Sequence, residues 1–173
     1  EGGASHRADV IVFATGFDAT SFLAPMRVKG RNGYELNQMW SDGAGAHLGI
    51  SVPNFPNFFI LYGPNTNLGH NSVIYMLESQ IAHVMRCLKA VNLADADTIE
   101  VEQAPYQRFI ARVRKRMKRT VWQQCRSWYL DERGRNTVNW PNFSAYYGWL
   151  ARRQTLNVYS IKKHHGKSAD IND

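Results

Sequence analysis

Apolar residues recur along this chain in two rhythms, and each predicts a different kind of element. Ala8-Asp9-Val10-Ile11-Val12-Phe13-Ala14 is nearly unbroken and stops at Thr15-Gly16, and Asn57-Phe58-Phe59-Ile60-Leu61-Tyr62 stops in the same way at Gly63-Pro64. Short apolar runs of this kind predict strands covered on both faces, as in a parallel sheet. Leu77, Ile81, Val84, Leu88 and Val91, preceded by Val73 and Ile74, follow three-four spacing. That spacing predicts a helix burying those residues, with Asn71 or Ser72 as its N-cap. Phe109, Val113 and Met117 predict a second helix across 105–123, with Pro105 at its first position. A strand over 98–102, a short helix over 143–153, an extended stretch over 127–130 and a turn over 133–136 follow. Residues 18–25 read as a short helical turn, and 28–56 as irregular chain anchored by Leu36, Met39 and Trp40. The expected class is α/β, an incomplete sheet with covering helices, its body in 1–156 and a polar, fraying tail in 157–173.

Composition narrows this. The 173 residues are 44% hydrophobic, enough for one real core. No run of 18 apolar residues exists to span a membrane. Glu1-Gly2-Gly3 has neither the basic nor the apolar region of a signal peptide, and a beginning without Met, just ahead of a strand, reads as a fragment. Cys87 and Cys125 have no metal-like spacing and read as reduced thiols in a cytoplasmic protein. His164-His165 is too short a tract for a metal site. The net charge of +7 comes largely from Arg108, Arg112, Arg114, Lys115, Arg116, Lys118 and Arg119. This run also carries the Phe109 stripe, without aromatics interleaved for base stacking, so nucleic acid is not favoured as a partner. A solvated helix face and a docking surface for an anionic cofactor or partner remain as readings.

The stretch 58–80 holds the candidate chemistry. A strand delivers a Gly- and Asn-rich loop, Tyr62-Gly63-Pro64-Asn65-Thr66-Asn67-Leu68-Gly69-His70-Asn71, and a helix starts directly after it. The first amides of a helix have no internal partners and sit at the positive end of its dipole, so this loop can hold a phosphate, a carboxylate or the electron-rich edge of a flat ring. A plain capped turn has the same sequence features.

Four stretches carry a family resemblance. Asp9-Val10-Ile11-Val12-Phe13-Ala14-Thr15-Gly16-Phe17 resembles a strand and Ala-Thr-Gly-aromatic signature found late in flavin-containing and Baeyer–Villiger monooxygenases. Gly49-Ile50-Ser51-Val52-Pro53-Asn54-Phe55-Pro56-Asn57-Phe58-Phe59 is similar to their next landmark, and 62–80 to their Gly-Pro-Asn loop and helix. Cys125-Arg126-Ser127-Trp128-Tyr129, followed by Gly134, Asn136 and Trp140-Pro141, resembles the C-terminal signature of a Baeyer–Villiger subgroup that includes enzymes acting on aryl ketones. The landmarks fall in the family's order between residues 8 and 150.

The resemblance implies the C-terminal portion of a Rossmann-like flavoprotein with two dinucleotide domains. It implies FAD and NADPH as cofactors and insertion of one oxygen atom from O2 into a ketone, giving an ester or lactone. By position, Thr15 and Gly16 would lie near FAD, Asn67, Leu68, Gly69, His70 and Asn71 beside the flavin, and Trp128 toward NADP. Each residue also has a plainer reading: Trp128 as a core or interface tryptophan, His70 as a loop residue, Glu78 and Gln80 as hydrogen-bonding helix residues. Both Gly-x-Gly-x-x-Gly fingerprints and the active-site arginine are absent from these residues, since none of 30–33, 43–49 or 63–69 follows a strand with the required spacing. No complete catalytic set is present, so the chain is expected to be inactive alone. It would need an N-terminal portion or a complementing subunit, with a small ketone as substrate. An N- or S-oxidising monooxygenase fragment and a non-catalytic basic module are the alternatives.

Overall fold

A helix forms where backbone and spacing allow one face to be covered, and the longest here, Val73–Leu93, shows how the chain resolves that requirement. The computed structural model describes residues 3, 5–16, 18–123 and 127–163. Four α-helices are present among them: α1 (Leu36–Met39), α2 (Val73–Leu93), α3 (Gln103–Met117) and α4 (Ser144–Arg153). Two strands, β1 (Thr98–Val101) and β2 (Tyr159–Lys162), pair antiparallel with Ile99 opposite Ile161 and Val101 opposite Tyr159. None of these helices is long and apolar enough to cross a membrane. The result is α/β with a small antiparallel sheet.

Ser72 caps α2 as predicted, its Oγ accepting from the Tyr75 amide at 3.2 Å. The buried face is only partly the predicted one: Val73, Val84 and Val91 pack against the core clusters. Met76, Ser79, Gln80, His83 and Cys87 point inward, whereas Ile74, Ile81, Met85 and Leu88 are exposed. The inward polar groups are all bonded. Ser79 donates to Tyr75 O at 2.8 Å, and Gln80 accepts from the Tyr62 amide at 3.0 Å and donates to Tyr147 Oη at 2.9 Å. His83 bonds Ala151 O at 3.0 Å and Tyr159 Oη at 2.8 Å. Burying a polar group is tolerable when it is hydrogen-bonded, so α2 carries one satisfied polar face inward and one apolar face outward. Replacing Ser72 with alanine should cost about 1 kcal/mol of stability, read as a lower urea midpoint with an unchanged slope.

α3 buries Pro105, Phe109, Val113 and Met117, the expected i, i+4 stripe. It begins at Gln103, so Pro105 occupies the third helical position rather than the first, and it stops at Met117. A separate 3-10 turn, Val121–Gln123, carries the end of the predicted segment. α4 closes on α2 through Gly148, where a Cβ would lie 2.3 Å from Tyr75 Oη, and through the Arg86 guanidinium, which donates to the carbonyls of Arg152 and Gln154. Three buried clusters result. Leu48, Ile50, Met76, Phe109, Trp140 and Tyr147 are the centre of the first; Leu36, Trp40, Val52 and Phe55 of the second; Cys87, Ile99, Val101 and Tyr159 of the third.

Four expectations are corrected. Residues 8–14 form no strand: Val10, Ile11, Val12 and Phe13 are 72% to 84% exposed. A parallel strand needs neighbours on both edges and helices on both faces, and nothing among the described residues supplies them. Residues 57–62 are not a regular strand either, because Asn57 and Tyr62 adopt positive φ (both 58°) and break the pleat. The segment keeps isolated links instead of a ladder: a bridge from Ser51 to Phe59, a bond from the Ile60 amide to Ile50 O (2.8 Å) and one from the Asn57 amide to Ile99 O (2.9 Å). Residues 127–130 form a turn, the Leu130 amide donating to Ser127 O at 3.0 Å, rather than an extended run. Residues 159–162, expected in the polar tail, are held instead as strand β2. Phe17, Cys125, Arg126, His164 and His165 lie outside the described residues.

Candidate functional site

The loop before α2 is held in place by asparagines. Asn65 Nδ2 donates to the carbonyls of Asn139 (3.1 Å) and Asn136 (3.3 Å), and Asn67 Nδ2 donates to Asn139 Oδ1 at 2.6 Å. The Asn67 amide donates to Val138 O at 3.0 Å, and Asn67 O accepts from the Trp140 amide at 2.8 Å. Tyr62 Oη closes the set by donating to Asn67 Oδ1. Burial, with Tyr129 beside it, raises the Tyr62 phenol above its ordinary value and keeps this proton in place at neutral pH. All four hydrogen-bonding groups of Asn67 are thus engaged within the chain, and Leu68 is buried in the first core cluster.

The tip beyond them is open. Gly69, His70 and Asn71 are exposed, and their amides, with those of Val73 and Ile74, make no hydrogen bond among the described residues. Five donors clustered at the positive end of a 21-residue helix can stabilise negative charge.

An aromatic wall runs away from this tip. The His70 ring stacks on Trp122 with centroids 6.5 Å apart, Trp122 meets Tyr129 edge-on at 5.8 Å, and Tyr129 stacks on Trp128 at 4.2 Å. Gly69 permits the approach, since a Cβ there would lie 2.7 Å from Trp122 Cη2. Trp128 in turn faces Gly16, where a Cβ would lie 3.6 Å from Trp128 Cβ. Phe22, Tyr62, Gly63, Asn67, Trp128 and Tyr129 line a recess of about 260 Å³. The structure therefore gathers Asn67 and Trp128 at one recess, with Gly16 against Trp128, and sets Gly69 and His70 at the Trp122 end of the wall; it does not bring Thr15 into that lining. Trp122, Tyr129, Tyr62 and Asn139 were not singled out from sequence. The signal that could have found the first two is the aromatic density of 122–129, where three rings fall within eight residues.

A larger cleft of about 570 Å³ shares Phe22 with this recess and is lined by Asp18, Trp40, Asp131, Arg133 and Arg135. It is bordered by an ion-pair network in which Arg135 reaches Asp42 and Asp131, each at 2.9 Å. Burial opposes ionisation of Asp131, but hydrogen bonds from Arg135 outweigh it and hold the carboxyl below its usual range. Arg133, Arg135 and Asp131 are already paired within that network, and the smaller, ring-walled recess is the candidate site.

Comparison with known proteins places the chain among flavin-dependent oxygenases. The chain is 38% identical over 162 residues to a Baeyer–Villiger monooxygenase of Pseudomonas aeruginosa, a match covering 92% of this chain and 31% of that enzyme. It is 44% identical over 142 residues to an FAD-binding monooxygenase of Aspergillus niger, covering 78% of this chain and 23% of that one. Its fold matches the solved structure of an oxidized steroid monooxygenase bound to NADP with a TM-score of 0.78 at 26% identity, over 94% of this chain and 32% of that chain. No family model matches. The chain thus spans a third or less of the length of these proteins, and it is homologous to the C-terminal part of Baeyer–Villiger and FAD-binding monooxygenases.

Proposed function

We infer that this chain, a homologue of Baeyer–Villiger monooxygenases, forms the C-terminal part of an FAD- and NADPH-dependent enzyme that inserts one atom of O2 beside a ketone carbonyl. The observation that carries this reading is the similarity across 92% of the chain together with the unbonded amides at the start of α2. Those amides suit the electron-rich rim of a flavin, and Gly16 and Gly63 leave backbone free to border a flat ring. The residues present fit one edge of FAD. The pyrophosphate-binding glycine fingerprints would come from elsewhere in the protein.

When bound, FAD supplies the redox chemistry, with NADPH as reductant. This chain's share is binding and placement. Gly69, His70 and Asn71 would present backbone donors to the flavin, Asn67 and Leu68 would fix the loop that aims them, and Thr15 and Gly16 would border the cofactor. Trp128, stacked on Tyr129, would offer an indole face toward NADP and help exclude water. The apolar outer face of α2 and the bare 10–13 segment support the same reading: contiguous apolar surface on a folded chain marks an interface, here with the rest of the flavoprotein. The free, buried Cys87 is in keeping with a cytoplasmic location.

The test is to mix the 173-residue chain with FAD alone, then to express it joined to the sequence encoded directly upstream. The chain alone should give no stable yellow complex. The joined protein should bind FAD and consume NADPH when given an aryl ketone. A joined protein that binds no flavin refutes the reading. One that binds FAD but oxidises sulfides or amines and leaves ketones untouched corrects it to heteroatom oxidation.

A further inference from the structure

His47 is 3% exposed, and neither Nδ1 nor Nε2 has a hydrogen-bond partner among the described residues. A buried donor without an acceptor is destabilising, so an orphaned imidazole asks what completes it. Aromatic edges flank the ring, Phe109 at 5.2 Å and Tyr159 at 6.2 Å between centroids, and neither satisfies an N–H. His47 also lines a cavity of about 140 Å³ between α3 and the C-terminal end of α4. That is roughly the space of four or five water molecules.

The remaining lining gives this cavity its chemistry. Arg108 and Arg112 border it one helical turn apart on α3, Gln154 adds an amide, and Phe109 and Leu150 form apolar walls. No acidic residue lines it. Neither arginine has an ion-pair partner among the described residues. Arg112 is close enough to His47 to add to the forces keeping that ring uncharged, behind burial and the His83 ring. A neutral imidazole still offers one N–H, and two guanidinium forks match the paired oxygens of a carboxylate or a phosphate.

We propose that this cavity binds a small oxyanion, with Arg108 and Arg112 engaging its oxygens and the His47 N–H donating from the floor. The site shares no lining residue with the recess at Asn67 and Trp128. It stands or falls independently of the flavin reading.

The experiment follows the His47 ring resonances of the 173-residue chain by NMR during separate titrations with inorganic phosphate and acetate, chloride holding the ionic strength constant. At least one anion should give a saturable shift with a dissociation constant of about a millimolar or tighter, and the same anion should raise the thermal midpoint. Saturation by phosphate alone assigns the site to phosphates, and by acetate alone to carboxylates. Replacing Arg112 with leucine should weaken binding at least about tenfold, while Arg119→Leu, in the same basic run but off the cavity, should leave it unchanged. Shifts that never saturate, or equal weakening by both replacements, reduce the effect to the general charge of α3 and overturn the proposal.

Discussion

Replacing Gly49 with alanine is expected to lower stability by about 2–5 kcal/mol, a large share of what a domain of this size possesses. Two costs combine. Gly49 has φ +68°, a left-handed conformation that costs an L residue about 1–2 kcal/mol. A Cβ there would also lie 2.1 Å from Thr66 Cγ2 and 2.9 Å from Pro64 O. Neither neighbour can retreat freely. Thr66 is 1% exposed with its Oγ1 bonded to Gly63 O at 2.7 Å, and Gly49's own carbonyl is so close to Gly63 that a Cβ there would lie 2.3 Å from it. Overpacking of this kind adds about 1–3 kcal/mol. Leu48 and Ile50 on either side are fully buried, and Tyr147 Oη donates to Leu48 O at 2.5 Å. A shift at Gly49 therefore moves the first core cluster and the 63–67 loop together. Gly33 is the control: its φ is +76°, but a Cβ there meets nothing within 4 Å, so alanine should cost only the backbone strain. Thermal unfolding monitored by circular dichroism should place Gly49→Ala about 10 °C or more below the parent and well below Gly33→Ala. Equal midpoints for the two variants would show that the contact between Gly49 and Thr66 is not a tight one.

The same region shows why parts of the architecture could be read from sequence and parts could not. Helices α3 and α4 and strand β1 follow from local periodicity, because the residues that cover Phe109 or Ile99 need only be apolar. Ser72 as N-cap is legible for the same local reason. The inward face of α2 is not fully so, because Gln80 and His83 become acceptable inside through distant partners, among them Tyr147 and Tyr159, 67 and 76 residues away. Their partners cannot be inferred from spacing, so the apolar residues were assigned inward. The runs 8–14 and 57–62 have strand composition, but a strand is a relation between segments, and the first of these has no neighbour here. At the candidate site, ordered landmarks name Asn67 and Trp128 one at a time. Their convergence depends on Trp122 and Tyr129 spanning the gap and on Asn136 and Asn139 gripping 65–67, contacts that no local pattern encodes.

Acid should unfold this chain earlier than its carboxylates alone would dictate. Burial is the main reason that His83 is held at about 4 and His47 at about 3, against an ordinary 6.5. For His83 the Ala151 carbonyl partly opposes the shift and Arg86 adds to it; for His47 the neighbouring His83 and Arg112 add to it. The hydrogen bonds agree with a neutral His83, whose Nδ1–H donates to Ala151 O while Nε2 accepts the Tyr159 proton. Because the fold resists charging both rings and the unfolded chain does not, the unfolded chain binds more protons below pH 6.5. The stabilisation is therefore complete above about pH 6.5 and is lost as pH falls through about 4 for His83 and about 3 for His47. Each proton contributes about 1.4 kcal/mol per pH unit where it titrates only in the unfolded state. Two protons remove on the order of 5 kcal/mol between pH 6.5 and pH 4.5. Urea unfolding at half-unit steps should show the loss beginning near pH 6, well above the range in which unfolded carboxylates take up protons. His83→Gln should lower stability at pH 7 and roughly halve the slope between pH 6 and 5. A parent protein whose unfolding free energy stays level from pH 6.5 to 5 would mean that these two imidazoles are not buried neutral.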